Sequence, residues 1–148
     1  MPKRITRKEL PKPLKAITVY PQWAWAIMHA GKDVENRSWN THQRGIVAIH
    51  ASIPKPRKKY EEDRREINRK SPRKKLPSYE DLPNNAIVGL VEITGCKNSA
   101  KSKWFYRGNK AFILARPTPL KTPITHPGWL NFWKVPSVKF KKIAAQLK

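Results

Sequence analysis

The feature that most constrains this chain is an uncharged, aromatic helix followed at once by a charged turn. Residues 23–28 contain no charged side chain, and Pro21 suits the first helical position because it has no N–H to lose there. A helix without a polar face must be surrounded by protein. Gly31 is expected to end the helix, since glycine adopts a left-handed cap easily. Any fold of this chain must therefore build a core around residues 21–28.

The charged turn directly after this helix is the first candidate for a functional site. It contains Lys32, Glu35 and Arg37. Side chains alternate along an extended strand, so Glu35 and Arg37 should lie on the same side. Charges between apolar elements are costly to bury unless they are paired or used. Two interpretations remain open, a buried ion-pair cluster with a structural role and the polar floor of a binding or catalytic pocket.

Apolar patterning predicts several short strands. They are expected at residues 15–20, 45–52, 86–95 and 111–115, with a short edge strand at 123–125 and one helical turn within 128–135. In the second strand Val47, Ile49 and Ala51 should face the core, which leaves His50 on the opposite face. Short strands around one buried helix predict an α+β domain built on a small, strongly bent sheet.

Glu92 interrupts the otherwise apolar strand 86–95 and is expected to need a cationic partner. Lys32, Arg37 and His50 are candidates for that partner. A lone histidine on a strand is more often structural than catalytic, so both interpretations of His50 stay open.

The positive charge of the chain is confined to four segments. The formal net charge is +22, and the excess lies in residues 1–15, 54–75, 97–110 and 134–148, while the other residues carry five basic and five acidic groups. Basic surface attracts phosphates and releases their counterions on binding. The composition therefore predicts a polyanionic partner, namely RNA or another nucleic acid.

The basic segments also predict how the domain is divided. Residues 1–14 are expected to be a flexible basic arm, 54–77 a basic insertion with a helix over 57–70, and 136–148 a basic C-terminal helix, around a domain of residues 15–135. Three consecutive aromatic residues beginning at Trp104 lie among lysines, which suits stacking on single-stranded nucleic acid. The alternative is that they only cover the edge of the sheet.

Several classes of site are not predicted. The single cysteine, Cys96, excludes a disulfide within this chain, and the four histidines lack metal-ligand spacing. The sequence contains no glycine-rich phosphate loop, so no nucleotide cofactor is predicted. No apolar run is long enough to cross a bilayer. We therefore expect a monomeric cytoplasmic protein without metal, cofactor or membrane contact.

Five segments resemble, in order, those of the ASCH family, a branch of the PUA-like superfamily. They are residues 21–24, 31–37, 45–52, 86–93 and 129–135, and the resemblance covers roughly 15–135. It implies a PUA-like β-barrel or pseudobarrel with the first helix packed against one end and basic surface helices outside. It also implies a substrate or RNA cleft between that helix, the charged turn and a later strand. Carried over, the candidate residues are Lys32, Glu35, Arg37 and Glu92, with Trp23, His50 and Trp129 as lining.

The resemblance leaves the chemistry open. One branch of the family is similar to amidohydrolases that act on N4-acetylcytidine with a lysine, a threonine three residues later and a strand glutamate. Lys32 and Glu92 match that set, but Glu35 stands at the threonine position. A carboxylate nucleophile would form a reactive mixed anhydride, so Glu35 would instead have to activate water as a general base.

Three hypotheses follow from the sequence. The first is a nucleic-acid-binding module, with RNA favoured by the resemblance, whose cleft recognises a base or a modified nucleoside. The second is a hydrolase acting on an acetylcytidine-type nucleoside or on RNA, with Lys32, Glu35 and Glu92 as catalytic residues. The third is a structural component of a ribonucleoprotein particle.

Overall fold

A six-stranded sheet forms the centre of the computed structural model, which describes residues 3–148. The strands are β1 (Lys15–Val19), β2 (Val34–Arg37), β3 (Gly45–Ala51), β4 (Ala86–Lys97), β5 (Lys110–Thr125) and β6 (Phe132–Lys134). Their order across the sheet is β2-β5-β4-β3-β1-β6. The β1–β3 pair is parallel and the other pairs are antiparallel. The helices are α1 (Pro21–His29), α2 (Arg57–Lys70) and α3 (Ser137–Ala145), and Arg7–Glu9 forms a short 3₁₀ turn. The α+β prediction is confirmed.

Both faces of the sheet are buried. Ile17 and Ile49 are opposite each other in the β1–β3 pair and pack with α1, while their neighbours Ala16 and Ala48 face the other core, formed with residues 5–14 and α3. Alternating side chains therefore reach two separate cores. The expectation of one core face for residues 45–52 was incomplete, because α3 and the N-terminal segment cover the second face.

Helix α1 follows the sequence prediction closely. Pro21 occupies its first turn, and Gly31, with φ of +75°, follows its end. The backbone N–H groups of Ala30 and Lys32 both donate to the carbonyl of Ala26, at 3.0 and 3.1 Å, and close the end of the helix. This turn leads the chain directly from α1 into β2 and fixes where the charged residues lie.

Helix α2 has the predicted bounds and covers the outer side of α1. Tyr60 and Ile67 are its buried apolar residues, one heptad apart as the sequence indicates, and Asp63 is buried between them. On its exposed side, Glu61 pairs with Arg64 at 3.7 Å.

The expectation of a flexible arm over residues 1–14 was wrong for the described residues 3–14. Ile5 and Leu14 are 2% and 1% exposed, and both belong to the core beneath α3. The N–H of Ile5 donates to Thr118 Oγ1 at 2.9 Å, and the N–H of Arg7 donates to the Lys148 carbonyl at 2.7 Å. The prolines prevent regular structure there, but the apolar side chains between them still anchor the segment to the sheet. Residues 1 and 2 lie outside the described part of the chain.

Two further predictions on local structure were also wrong. The expected strands 111–115 and 123–125 are parts of one continuous strand, β5. β5 pairs with β2 only as far as Ile113. The prolines after this residue have no β2 residue opposite them, so the N–H that proline lacks is not required for pairing with β2. The expected helical turn within 128–135 is instead strand β6, in which Trp133 pairs with Ala16 of β1.

An ion pair ties the N-terminal segment to β5 and predicts an acid-sensitive contact. Arg116 donates to Glu9 at 2.8 Å, and this hydrogen bond is the main reason that the pKa of Glu9 falls to about 2. Since the pKa is lowered from 4.5 on folding, the contact stabilises the protein above about pH 4.5, and this stabilisation is lost as the pH falls towards 2. We expect Glu9→Gln to lower the melting temperature at pH 7 and to match the wild type near pH 2.

The control is Glu62→Gln, which changes an exposed glutamate that forms no ion pair within residues 3–148. Thermal unfolding of the three proteins between pH 2 and pH 7 tests the prediction. An identical pH dependence for Glu9→Gln and Glu62→Gln would contradict it.

Candidate functional site

An open cleft of about 670 Å³ lies where β1 and β3 end beside α1. Such a volume is typical of small-molecule sites. Its lining comes from β1 and α1, the charged turn and β2, the start of α2, and the loops around residues 106 and 130. The residues are Thr18, Val19, Tyr20, Trp23, Lys32, Glu35, Asn36, Arg37, Trp39, Ser52, Lys55, Lys59, Asp63, Tyr106, Trp129, Leu130 and Asn131.

Three charged residues of the turn form a connected ion-pair network in this cleft. Glu35 Oε1 accepts from Lys32 Nζ at 3.2 Å, and its Oε2 accepts from Arg37 Nε at 2.8 Å. Lys32 Nζ also donates to the Val34 carbonyl, and Arg37 Nη2 donates to the Thr18 carbonyl at 2.8 Å. The network, which we call the charged trio, therefore joins the end of α1, β2 and β1. It is an ion-pair cluster and part of the cleft lining at once.

Burial lowers the pKa of Lys32, and the neighbouring Glu35 carboxylate opposes that shift. The lysine is only 4% exposed, whereas Arg37 is partly open to solvent. A buried ammonium is tolerated when a carboxylate and a carbonyl accept its protons. Arg37 thus has the more accessible cation of the trio, and Glu35 keeps spare lone pairs because a carboxylate accepts about four hydrogen bonds.

Aromatic side chains form one wall of the cleft. Trp23 of α1 contacts Tyr106 edge-on, with ring centroids 6.4 Å apart, and Lys32 Nζ lies 5.5 Å from the Trp23 ring centroid. Asn36 holds the loop that carries Tyr106, since its side chain accepts from the Tyr106 N–H and donates to the Trp104 carbonyl, both at 2.9 Å. A side chain of the charged turn therefore positions an aromatic wall from a distant part of the sequence.

The opposite rim is formed by residues 129–131, and Trp129 is 55% exposed there. Trp129 packs against His126 and against Trp133, with ring centroids 5.3 Å apart in each case. His126 in turn stacks on Trp133 at 5.2 Å. The base of this rim is thus a packed aromatic cluster, while one large ring remains open to solvent.

His50 fixes this rim from beneath. Its Nε2 is 2.5 Å from the His126 carbonyl, so that nitrogen carries the proton and Nδ1 accepts from the Thr18 hydroxyl at 3.2 Å. Burial lowers the pKa of His50, which favours the neutral ring that this arrangement needs. Trp133 Nε1 donates to the same hydroxyl oxygen at 3.0 Å. The segment after His126 is therefore attached to β1 and β3.

Two lysines, one just before α2 and one in its first turn, border the cleft mouth. Lys59 Nζ donates to Asp63 Oδ1 at 3.1 Å, and Gln22 Nε2 donates to Oδ2 of the same carboxylate at 2.8 Å. Lys55 Nζ lies 5.3 Å from the centroid of the Tyr20 ring. Both lysine residues are exposed, so a ligand phosphate can reach them.

The structure brings together five of the residues that the sequence singled out and separates three. Trp23, Lys32, Glu35, Arg37 and Trp129 all line the cleft. Glu92, His50 and Trp104 lie outside its lining.

Each of these three exceptions has a physical reason. Glu92 does find a cationic partner, but it is Arg116 of the neighbouring strand, at 3.5 Å, and none of the expected candidates. His50 has no exposed surface. Trp104 is 2% exposed because it packs with Tyr60 and Ile67 of α2.

Sequence reasoning missed several lining residues. Tyr20, Trp39, Lys59 and Asp63 were not singled out from the sequence, and all of them line the cleft. The spacing of Lys59 and Asp63, four residues apart in a helix with a buried heptad stripe, was the available signal. Nothing in the sequence indicated which side of α2 faces the cleft.

No metal-binding group of three or more His, Cys, Asp or Glu side chains occurs among residues 3–148. Over the same residues no helix is long and apolar enough to span a bilayer.

Comparisons with known proteins identify the family of this fold. A family model described as ASCH domain matches residues 17–127. The human protein Activating signal cointegrator 1 is 24% identical over 128 residues, which are 82% of this chain, and the chain spans only 22% of that protein's length.

Solved structures agree on the fold. The crystal structure of ASCH from Zymomonas mobilis aligns with a TM-score of 0.54 at 13% identity, covering 93% of this chain and 98% of that one. A single-residue variant of the Zymomonas protein aligns with a TM-score of 0.52 at 15% identity, covering 97% and 100%. These likenesses show that the α+β fold is that of ASCH domains, a PUA-like fold, as the sequence predicted.

The charged trio predicts that removing the Glu35 carboxylate destabilises the protein more than removing the Lys32 ammonium. Glu35→Ala leaves the Lys32 ammonium without a carboxylate, whereas Lys32→Met leaves Glu35 paired with Arg37. Breaking a buried pair from one side costs about 3–5 kcal/mol, so we expect Glu35→Ala to lose about 3 kcal/mol of unfolding free energy and Lys32→Met clearly less.

The pH dependence of this loss has a definite sign. A lysine whose pKa is lower in the folded than in the unfolded state makes stability rise with pH. Removing the carboxylate lowers the pKa of Lys32 further, so the deficit of Glu35→Ala should shrink between pH 7 and pH 10. Urea unfolding across that range tests both statements, and a constant deficit would contradict the assignment.

The close packing around Gly128 predicts that a larger residue at this position destabilises the rim. A Cβ at this position would lie 2.6 Å from Thr18 Oγ1 and 2.8 Å from His50 ring atoms, which belong to strands held in the sheet. The rim must then shift, and we expect Gly128→Ala to destabilise the protein by about 1–3 kcal/mol. Gly95→Ala is the control, because its nearest neighbour is Ile113 Cγ1 at 3.8 Å. Equal urea midpoints for the two variants would contradict the packing described.

Proposed function

This chain belongs to the ASCH domain family, and we propose that it binds single-stranded RNA and holds one base in the cleft. The observation that carries the proposal is the composition of the cleft, in which exposed aromatic surface, a partly open arginine and a carboxylate with spare acceptors line one opening. That opening belongs to a chain with a formal net charge of +22. RNA-binding proteins select unstacked bases by this combination of stacking and edge-on hydrogen bonds.

Trp129 supplies the stacking surface in this proposal. Its exposed ring stands over the cleft while its other contacts, to His126 and Trp133, keep it from turning freely. A base stacked on an aromatic ring contributes about 1–3 kcal/mol, and every base has a face to stack. Stacking therefore supports affinity for an unpaired base without by itself selecting which one.

The charged trio supplies the selective contacts. Glu35 accepts only one hydrogen bond per carboxylate oxygen from Lys32 and Arg37. The remaining lone pairs suit an amino or ring N–H donor of a base, and Arg37 N–H groups suit a carbonyl oxygen. A base or modified nucleoside with donors and acceptors on one edge fits this arrangement.

Phosphates next to the held base fit the mouth of the cleft. Lys55, just before α2, and Lys59, in its first turn, border it, and neither ammonium is buried. Each phosphate neutralised on a single strand contributes about −0.7 to the slope of log affinity against log salt. The proposal thus divides the site into a stacking rim, a selective floor and a cationic mouth.

The hydrolase hypothesis loses part of its basis. In the acetylcytidine-type arrangement a lysine, a threonine and a glutamate act together, but here Glu92 is paired with Arg116 and does not line the cleft. Lys32 and Glu35 remain, with Glu35 at the threonine position. Incubation of the purified protein with N4-acetylcytidine and with labelled RNA tests this alternative. Turnover that Lys32→Ala abolishes would establish it in place of simple binding.

Two variants test the binding proposal. We expect Trp129→Ala to weaken binding of a mixed-sequence single-stranded RNA by about 1–3 kcal/mol with little change in salt slope, because it removes stacking only. The double variant Lys55→Gln and Lys59→Gln should instead make the slope less steep by about 1.4, because it removes two phosphate contacts. Fluorescence anisotropy at several salt concentrations measures both effects.

Val138→Ala is the matched control for the stacking variant, since Val138 is 62% exposed on α3 and does not line the cleft. It should leave RNA affinity unchanged. If Trp129→Ala and Val138→Ala bind RNA equally well, the cleft does not hold a base.

A further inference from the structure

The four basic segments of the sequence come together in two pairs. Residues 54–75 and 97–110 meet beside α1, where Lys103 Nζ donates to the Lys70 carbonyl at 2.5 Å and Trp104 packs against α2. Residues 3–14 and 134–148 meet on the other face of the sheet. There Arg7 donates from its backbone N–H to the Lys148 carbonyl at 2.7 Å and from Nε to the Ala144 carbonyl at 3.0 Å.

The second pair forms an exposed cationic surface, which we call the terminal surface. It carries the ammonium groups of the exposed residues Lys3, Lys8, Lys12, Lys142 and Lys148, and that of the half-buried Lys139. None of these residues lines the cleft. The apolar side chains between them, such as Ile5, Phe140 and Ile143, pack into one core, so the lysines are held on a folded surface.

The terminal surface differs from the α2 side in its lack of carboxylates. Ion pairs within α2 compensate part of its charge, through Glu61, Asp63 and Glu66. In residues 3–14 and 134–148 the single acidic residue is Glu9, and it is paired with Arg116 of β5. None of the six lysines forms an ion pair within residues 3–148.

Uncompensated like charges on one surface repel each other and destabilise the compact state. At physiological salt this repulsion extends over about 8 Å, which covers neighbouring side chains on such a surface. A polyanion placed there removes the repulsion and releases its own counterions. The arrangement therefore favours a partner that presents a row of negative charges.

The chemistry of the surface favours a nucleic-acid backbone over a membrane. Helices that bind membranes combine basic residues with large exposed apolar side chains. Within residues 3–148, α3 exposes only Val138 among large hydrophobic side chains, and residues 3–14 expose none. A purely cationic surface suits phosphates that are reached from water.

We propose that the terminal surface is a second phosphate-binding surface, which holds a stretch of nucleic acid separate from the one at the cleft. The two surfaces are built on different faces of the sheet, so a short oligonucleotide in the cleft leaves the terminal surface free. One molecule then holds two short strands, or two separated stretches of one long strand. This proposal does not depend on what the cleft binds.

The test compares two triple variants with equal loss of charge. The terminal variant is Lys8→Gln, Lys142→Gln and Lys148→Gln, and the control variant is Lys58→Gln, Arg65→Gln and Lys74→Gln on the α2 side. All six residues are exposed, and their side chains make no hydrogen bond or ion pair within residues 3–148. Both proteins should therefore fold, which melting temperatures will check, and a triple Lys→Arg variant at positions 8, 142 and 148 should bind like the wild type.

The probe is a mixed-sequence single-stranded RNA of about 12 nucleotides, within the site sizes of single-strand binders. At low salt we expect the wild type and the control variant to bind two oligonucleotides per molecule in calorimetric titration, and the terminal variant to bind one. With a longer RNA the salt slope of the terminal variant should be less steep by about 2.

Three results would overturn the proposal. They are a terminal variant that binds as many oligonucleotides per molecule as the wild type, equal losses in the two triple variants, and a terminal variant that loses binding to anionic phospholipid vesicles while its RNA affinity is unchanged. The Trp129→Ala variant separates this proposal from the function of the cleft. If the cleft does not bind RNA, Trp129→Ala has no effect while the two triples still differ; if only the terminal surface fails, Trp129→Ala weakens binding while the triples agree.

Discussion

The structure around the cleft depends on the Glu35 carboxylate accepting from Lys32 on one oxygen and from Arg37 on the other. Through these bonds the end of α1, the edge strand β2 and the end of β1 are held together, since Arg37 also donates to the Thr18 carbonyl. The edge strand has only β5 as a neighbour in the sheet. Without the carboxylate, a buried ammonium would have to lose its proton or draw water into the core. The same group that stabilises the fold therefore supplies the polar part of the cleft.

This dual role explains why a structural and a functional interpretation of the charged turn are not alternatives. Each charge of the trio is compensated, as in a structural cluster, but the cluster lies at an opening and is not sealed off. Buried ion pairs are weak evidence for stability, because replacing them with apolar residues is often harmless. Their position in the cleft lining, with Arg37 partly exposed, is the observation on which the proposed base contacts rest.

One buried histidine and one glycine determine the position of the exposed rim. His50 and Thr18 hold the His126 carbonyl and the Trp133 indole from below, and Gly128 passes close to them because it has no Cβ. Trp129 is the next residue along the chain. His50 therefore lies close to the cleft, but it supports the rim from within the core and does not line the cleft.

What the sequence determined by itself was local. The uncharged helix, its proline start and glycine end, the alternation that places Glu35 beside Arg37, and the bounds of α2 all follow from contacts within a few residues. These local signals, with the ordered resemblance to ASCH domains, were enough for the fold class and for five residues of the cleft. Only the tertiary structure decided that Glu92 pairs with Arg116, that Trp104 is core, and that four basic segments form two surfaces. Those outcomes depend on which strands become neighbours and which helix covers which face of the sheet. The residues next to a charge or an aromatic ring in the sequence do not determine those long-range contacts.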